Sequence, residues 1–374
     1  MKKEYILGSI YTKAENVTQV ATKLKFNDYV GAVMVRWMIK RNNYKIEPGL
    51  YAVGFPDEKS DVFVSANYKL SFDHLRKNLD GLNSWILVLD TKGVNVWCAA
   101  GKGTFGTKEL VNRLKLTNLE NVISHRRLIV PQLGATGISA FQVKELTSNS
   151  KQIQVTGSCD CSKEKISIDD IVAKKEDRGF NVVFGPVKAS DIKKFIANGY
   201  KATKEMRKVS FNFTDRLKLT AVDFVYARYK LMAAFALFFL LSGLTISGIN
   251  FSLAYNKGMI AILNIMLAYF TGIIITPLIL PYIPVKMFAF KGLITGLILS
   301  AILYYFKLLG SNTYEIVSWF LIIPGISSFM AMNFTGASTY TSLSGVKKEM
   351  RIAVPFQISF AVIGLVLFVI GKLN

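Results

Sequence analysis

The sequence predicts a chain in two parts: a mostly parallel, Rossmann-like α/β domain, followed by an all-α transmembrane domain of about five helices. Three observations lead there. First, the 374 residues are 51% hydrophobic yet carry 46 basic against 25 acidic side chains, and a mean hydropathy of +0.33 is high for a soluble chain so charged. Second, the charge is uneven. Only eight Lys/Arg and two Glu lie beyond residue 230, leaving 38 basic and 23 acidic residues before it. Third, between Asp61 and Ala202 apolar runs of strand length alternate with helical patterns. The apolar content excludes full-length disorder, three Cys exclude a disulfide scaffold, and two His exclude a His-rich metal site.

Strands are expected at Val62–Ser65, Trp85–Asp90, Val94–Trp97, Leu128–Pro131 and Val182–Gly185, and helices at Ser71–Leu79, Thr107–Leu114, Gly137–Leu146 and Ala189–Ala197. Continuous Val/Ile/Leu runs without polar alternation suit strands covered on both faces, hence a parallel sheet. Ligands of such sheets sit at the carboxyl ends of strands. Asn95–Thr107, Pro131–Gly137 and Gly185–Pro186 are expected there. Residues 151–178 are polar and charged and read as an insertion or loop. The domain boundaries follow: 1–215 soluble, 216–230 a basic linker, 231–374 in the membrane.

Five stretches of the second part are long and apolar enough to cross a bilayer as helices: Leu231–Ile249, Gly258–Leu280, Gly292–Phe306, Ile316–Met332 and Ile352–Ile370. The third is short and is expected to borrow residues from Met287 or Leu309. Arg216, Lys218, Arg228, Lys230, Lys286, Lys291, Lys347, Lys348 and Arg351 fall on one side, and Lys257, Lys307 and Lys372 on the other. That bias predicts a multi-pass protein of the cell membrane with its N-terminal domain in the cytoplasm and its C-terminus outside. The start, MKKEYILGSIYTK, lacks an apolar core of signal-peptide length. No charge sits at a span centre, which argues against an ion pump.

The segment VNVWCAAGKGTFGT (Val94–Thr107) admits three readings. Gly101, Gly103 and Gly106 spell G-x-G-x-x-G, with Glu120 at a distance suited to a ribose contact, which would be nucleotide binding. A P-loop is excluded because no G-x-x-x-x-G-K-[ST] occurs. Alternatively Cys98 is a small buried hydrophobe in a strand-to-helix turn.

The third reading rests on resemblance. NVWCAAGK (Asn95–Lys102) matches the signature of the mercury-methylating corrinoid protein family, HgcA. EPGLYAVG (Glu47–Gly54), ANYKLSFD (Ala66–Asp73), HRRLIVPQLGATG (His125–Gly137) and GFNVVFGPV (Gly179–Val187) resemble it too. The soluble domain is also similar to the corrinoid-binding subunit of corrinoid iron–sulfur proteins, which lack this cysteine motif and the membrane tail. The resemblance implies a cobalamin-type corrinoid whose cobalt takes Cys98 as its lower axial ligand. Asn95, Val96 and Trp97 would fix the cap, and Ala99, Ala100 and Gly101 would let backbone approach the ring. Lys102, Gly103, Thr104, Gly106 and Thr107 would hold its side groups. A metal draws a thiol into its thiolate form, and thiolate donation makes a trans methyl group a better carbanion or radical donor. The implied activity is methyl transfer to Hg(II), giving methylmercury. A corrinoid methyl carrier of one-carbon metabolism, with mercury an incidental acceptor, is the alternative.

No D-x-H-x-x-G is present, since Asp73-His74 lacks the spacing, so the His-ligated class of B12 domain is not expected. There is no C-x-x-C cluster for an iron–sulfur centre. Reduction of cobalt therefore calls for a ferredoxin-like partner, which the family has in HgcB, and a folate-dependent methyltransferase is the expected methyl donor. His125, beside Arg126 and Arg127, is a candidate contact to the corrinoid tail, set against a structural role. The PQLGATG turn, with Gly134, Thr136 and Gly137, offers amides to a polar cofactor group. Cys159-Asp160-Cys161, in the 151–178 insertion, suits linear bis-thiolate capture of Hg(II), against a solvated loop with incidental thiols. The positive charge of the soluble half fits a domain beside an anionic lipid bilayer, with no nucleic-acid partner.

Overall fold

The computed structural model describes residues 4–148, 179–334 and 343–373. Cys159 and Cys161 lie outside the described residues. The chain divides into two compact units, Met1–Val35 with Ile39–Val209, and Arg36–Met38 with Ser210–Asn374.

The first unit is built on a seven-stranded sheet. Its elements are β1 (Ile6–Tyr11), β2 (Asn16–Val20), α1 (Phe26–Arg36), β3 (Gly49–Val53), β4 (Val62–Ala66), α2 (Lys69–Asn78), β5 (Ser84–Leu89), α3 (Val96–Lys102), α4 (Thr107–Leu116), α5 (Leu119–Val122), β6 (Arg127–Val130), α6 (Ala140–Thr147), β7 (Asn181–Phe184) and α7 (Ile192–Ala197). Strand order is β1-β2-β3-β5-β4-β6-β7. β5, β4, β6 and β7 run parallel, as do β2 and β3, while β1/β2 and β3/β5 are antiparallel. A mostly parallel sheet is thus present, with antiparallel pairings contributed by the N-terminal strands.

β4 (VFVSA) and β5 (SWILVL) are buried at every position, so alternate residues serve opposite faces. Val62, Val64, Leu87 and Leu89 pack with Ala99, Ala100, Phe105, Leu110 and Leu114. Phe63, Ile86 and Val88 pack with Phe72, Leu75, Leu79 and Phe195 on the other face. Helices α3 and α4 therefore cover one face, α2 and α7 the other.

One expected strand is a helix. Val94–Trp97 has strand-like residues, but Asn95 accepts a hydrogen bond from the Cys98 amide at 2.9 Å and starts α3 at Val96. The capping bond satisfies an otherwise orphaned helical donor, and the small Ala99 and Ala100 fit beneath it, which outweighs the strand preference of two valines.

A buried ionic network joins α1 to α2. Arg76, fully buried, donates to Asp73 (2.8 Å), Asp28 (2.7 Å) and the Ala21 carbonyl (2.5 Å). Lys69 reaches Asp28 and Asp73 at 2.5 and 2.6 Å. Burial pushes the Asp28 carboxyl up, but hydrogen bonds from Lys69 and the Lys25 amide, with the Lys69 and Arg76 charges, hold it below the usual carboxylate range.

In the second unit four helices are long and apolar enough to cross a membrane: Phe251–Leu278, Phe288–Tyr305, Thr313–Asn333 and Gly345–Leu373. The short third expected span does extend backwards, to Phe288. The first expected span, Leu231–Ile249, differs. It is a 15-residue helix, Arg228–Ser242, ended by Gly243 and a two-stranded turn, Leu244–Thr245 with Gly248–Ile249. At 1.5 Å per residue it spans about 22 Å, short of a bilayer's roughly 30 Å core. It still packs along the others, with Phe238 against Trp319 and Phe368. Residues 216–230, expected as a linker, lie in Phe213–Tyr226 and Arg228–Ser242.

Truncating one member of a buried ion network leaves its partners uncompensated. Arg76→Met is therefore expected to cost about 3–5 kcal/mol, read as a lower thermal midpoint of the first unit; an unchanged midpoint would contradict the assigned role. Because the Asp28 carboxyl is depressed when folded, its stabilisation is present above the unfolded carboxylate range and is lost progressively as pH falls from there through the lower folded-state range. Asp28→Asn should flatten the acid side of the stability–pH curve.

Candidate functional site

The site begins at the carboxyl edge of β4 and β5. The strand order around β4 reverses there, with β5 on one side and β6 on the other, which is where open α/β sheets leave a crevice. Asn67, directly after β4 and 2% exposed, holds the loop that leaves β5. Its Oδ1 accepts from the amides of Gly93 (2.9 Å) and Thr91 (3.2 Å) and from the Thr91 hydroxyl (2.9 Å). Its Nδ2 donates to Asp90 at 3.1 Å. Lys92 and Gly93 both take positive φ, 58° and 74°, so the loop turns sharply into Asn95.

From there α3 is fixed at both ends. Asn95 caps its start. Gly103, at φ 80°, closes it in the left-handed conformation, and the amides of Thr104 and Phe105 turn back onto the Ala99 carbonyl at 3.0 and 3.1 Å. Phe105, fully buried, nails the exit to the core. Ala99 and Ala100 face inward. Trp97, Cys98, Gly101 and Lys102 face outward and are exposed. A Cβ added at Gly101 would meet nothing within 4 Å, so the cysteine stands on an open ledge of small residues.

The PQLGATG turn closes against this helix from the end of β6. A Cβ on Gly137 would lie 2.1 Å from the Phe105 carbonyl oxygen and 3.1 Å from the Ala100 Cα, and one on Gly134 would meet the Phe105 ring at 2.4 Å. Only glycine lets the turn lie this close. The Gly137 carbonyl accepts from the Thr107 amide at 3.2 Å, and the Thr107 hydroxyl accepts from the Ser139 amide at 2.9 Å. Thr136 is exposed beside them. Asn95–Thr107 and Gly134–Gly137 are therefore one constellation.

His125 is not part of it. It precedes β6, at the opposite edge of the sheet, where its ring bonds the Ser60 carbonyl at 3.0 Å through Nε2 and accepts from the Arg127 amide at 3.1 Å through Nδ1. Both nitrogens are used in holding the Ser60 loop. Glu120, in α5, also precedes β6, so it is separated from the glycines it would have to serve. Those glycines end α3 and begin α4 instead of forming a strand-to-helix phosphate turn, and the nucleotide fingerprint loses its structural context. The exposure of Cys98 equally removes the reading of a buried small hydrophobe. Asn67 and Thr91 were missed as site residues; Asn67 lies in the quoted segment ANYKLSFD and directly after a strand, whereas Thr91 had only its place two residues beyond the next one.

Cys98 is a free, exposed thiol with small residues around it, a soft donor type. Among the described residues no group of three or more His, Cys, Asp or Glu is placed to hold a metal ion.

Residues 39–160 match the family described as CO dehydrogenase/acetyl-CoA synthase delta subunit. The chain is 33% identical over 93 residues to the acetyl-CoA decarbonylase/synthase complex subunit gamma of Methanopyrus kandleri, covering 24% of this chain and 20% of that one. It is 28% identical over 123 residues to the gamma subunit of Archaeoglobus fulgidus, covering 32% and 24%. It is 27% identical over 105 residues to the corrinoid/iron-sulfur protein large subunit of Moorella thermoacetica, covering 28% and 23%. The chain thus spans about a fifth to a quarter of these relatives. Its soluble domain is related to a subunit of the corrinoid iron–sulfur proteins.

Proposed function

We propose that the chain is a membrane-anchored, corrinoid-dependent methyltransferase that uses Cys98 as the cobalt ligand and Hg(II) as methyl acceptor. The observation that carries this is the placement of NVWCAAGK: its cysteine is exposed on a helix fixed at both ends, at the crevice edge of a domain related to corrinoid protein subunits. When bound, a corrinoid supplies a cobalt-held methyl group, and its transfer with the bonding electrons to the soft cation Hg(II) gives methylmercury.

The chain's own residues prepare that transfer. Cys98 would hold the cobalt through a soft thiolate on a helix fixed at both ends, Ala99 and Gly101 would keep the approach unobstructed, and Trp97, 40% exposed, would supply an aromatic surface next to it in the chain. The amide-rich turn at Gly134–Gly137, with Lys102 and Thr104, would hold polar side groups. His125 takes no part, because its ring serves the opposite edge. Three cysteines in all cannot build a four-thiolate iron–sulfur cluster, so electrons are supplied by a ferredoxin-like iron–sulfur protein of the HgcB kind. The methyl donor is a folate-dependent methyltransferase. Cys159 and Cys161 are assigned to Hg(II) delivery on composition alone.

The charge bias supports a cytoplasmic location for the soluble unit. With the C-terminus outside, it requires Arg228–Ser242 and the turn after it to complete a first crossing in addition to the four full-length helices. A second reading, a corrinoid methyl carrier of one-carbon metabolism, is favoured by the names of the relatives, all but one of the cited proteins being subunits of acetyl-CoA decarbonylase/synthase complexes.

Cys98→Ala should abolish mercury methylation and remove the thiolate–cobalt absorption bands of cobalamin-loaded protein; full activity in the variant refutes the ligand role. Methyl transfer to an acetyl-CoA-forming acceptor at a higher rate than to Hg(II) would establish the carrier reading instead. Asn67→Ala leaves two loop amides short of their acceptor, at about 1–3 kcal/mol. It should weaken cobalamin retention about tenfold or more while the secondary-structure content stays unchanged; unchanged retention would show that Asn67 does not position Cys98.

A further inference from the structure

At one end of the helical unit lies a cavity of about 680 Å³ whose chemistry the methyl-transfer site does not use. It is built around a buried ion pair. Glu315, 3% exposed, lies 2.6 Å from Lys372, and both side chains are almost free of solvent. The second carboxylate oxygen accepts from the Ser311 amide at 3.2 Å. Gly310 takes φ +105°, and a Cβ there would stand 2.0 Å from that oxygen, so the loop is shaped to admit the carboxylate. Asn312 ties the same loop to the Gly371 carbonyl at 2.6 Å.

Glu315 thus satisfies Lys372, but two further lysines, Lys257 and Lys307, border the same cavity. Both are exposed, and among the described residues neither has a carboxylate partner. Lys257 is near enough to Lys372 for their charges to interact. Three ammonium groups against one carboxylate leave an excess of about two positive charges, an arrangement that like-charge repulsion disfavours until an anion enters. Tyr304 and Tyr305 border it too, 55% and 81% exposed, and their hydroxyls are donors. Lysine and tyrosine at the ends of apolar helices occupy the level of lipid headgroups. The remaining wall is apolar, including Trp319 and Phe368, and the volume far exceeds that of a phosphate group alone.

We propose that this cavity binds a phosphate oxyanion carried on an apolar body, an anionic phospholipid headgroup, through Lys257 and Lys307. Phosphate is the chemistry shared with a soluble phosphate compound; the apolar wall selects the lipid.

The test uses the purified full chain in neutral detergent, with affinities measured for phosphatidylglycerol, phosphatidylcholine and inorganic phosphate. Phosphatidylglycerol should bind the tightest. The Lys257→Gln/Lys307→Gln double variant, altered only at exposed positions, should bind it about thirtyfold less tightly, while Lys257→Arg/Lys307→Arg retains it. Inorganic phosphate that fails to displace phosphatidylglycerol marks the lipid as occupant, whereas displacement at comparable concentration marks a soluble phosphate in the same site. Equal affinity for the two lipids, or undiminished phosphatidylglycerol binding in the glutamine variant, overturns the proposal.

Discussion

A single buried amide governs where the cysteine stands. Asn67 follows β4 at the sheet's carboxyl edge, and its own backbone already continues the strand ladder by donating to the Leu89 carbonyl at 3.0 Å. That leaves its side chain to organise the next strand's exit. It takes three donors from Thr91 and Gly93 and gives one hydrogen to Asp90. In a site excluded from water, each donor left unmatched would cost about 1–3 kcal/mol, so the loop has few competing conformations. Everything downstream inherits this: the start of α3, the direction of its exposed face, and the position of Cys98. An exposed thiol on an unfixed loop would sample several positions; here that conformational freedom is already lost on folding.

The legible part of the fold was the part whose residues obey one rule at a time. β4, β5, β6 and β7 are continuous apolar runs flanked by turns, and each was found within a residue or two. β1–β3 and α1 were not. β1 (ILGSIY) is exposed along most of its length as the edge strand, and β2 mixes polar with apolar residues, so neither carries a burial pattern. β3 pairs antiparallel with β5, a relation no run of residues announces. Within the site, Val94–Trp97 failed because strand propensity and an N-cap competed over the same four residues, and the cap prevailed once Asn95 found the Cys98 amide.

His125 shows a different limit. The stretch HRRLIVPQLGATG reads as one motif, and proximity in sequence suggests one site. But β6 occupies Arg127–Val130, four residues at about 3.3 Å each. That strand separates the two ends of the motif by most of the sheet's depth. Gly134 and Gly137 reach the cysteine helix, whereas His125 reaches Ser60. A motif that contains a strand is two motifs, one for each edge.

Close approach of backbones recurs in both units, for different ends. In the soluble unit Gly137 lets a turn lie on α3, the helix that carries the exposed Cys98. In the helical unit Gly292 and Gly296 face Ser327 and Pro324 so closely that a Cβ would stand 2.5 and 2.6 Å from their backbone atoms. Small residues there replace the hydrophobic drive that lipid cannot provide. The approach also brings Thr276, Thr295 and Ser327 within hydrogen-bond reach, at 2.7 and 3.3 Å. Hydroxyls in an apolar surrounding are costly alone and tolerable when they satisfy one another. The close-packed helices thus need the polar contacts, and the polar contacts need the glycines. Enlarging either glycine would part the helices and strand the hydroxyls, so the bundle's packing and its buried polarity form one constraint.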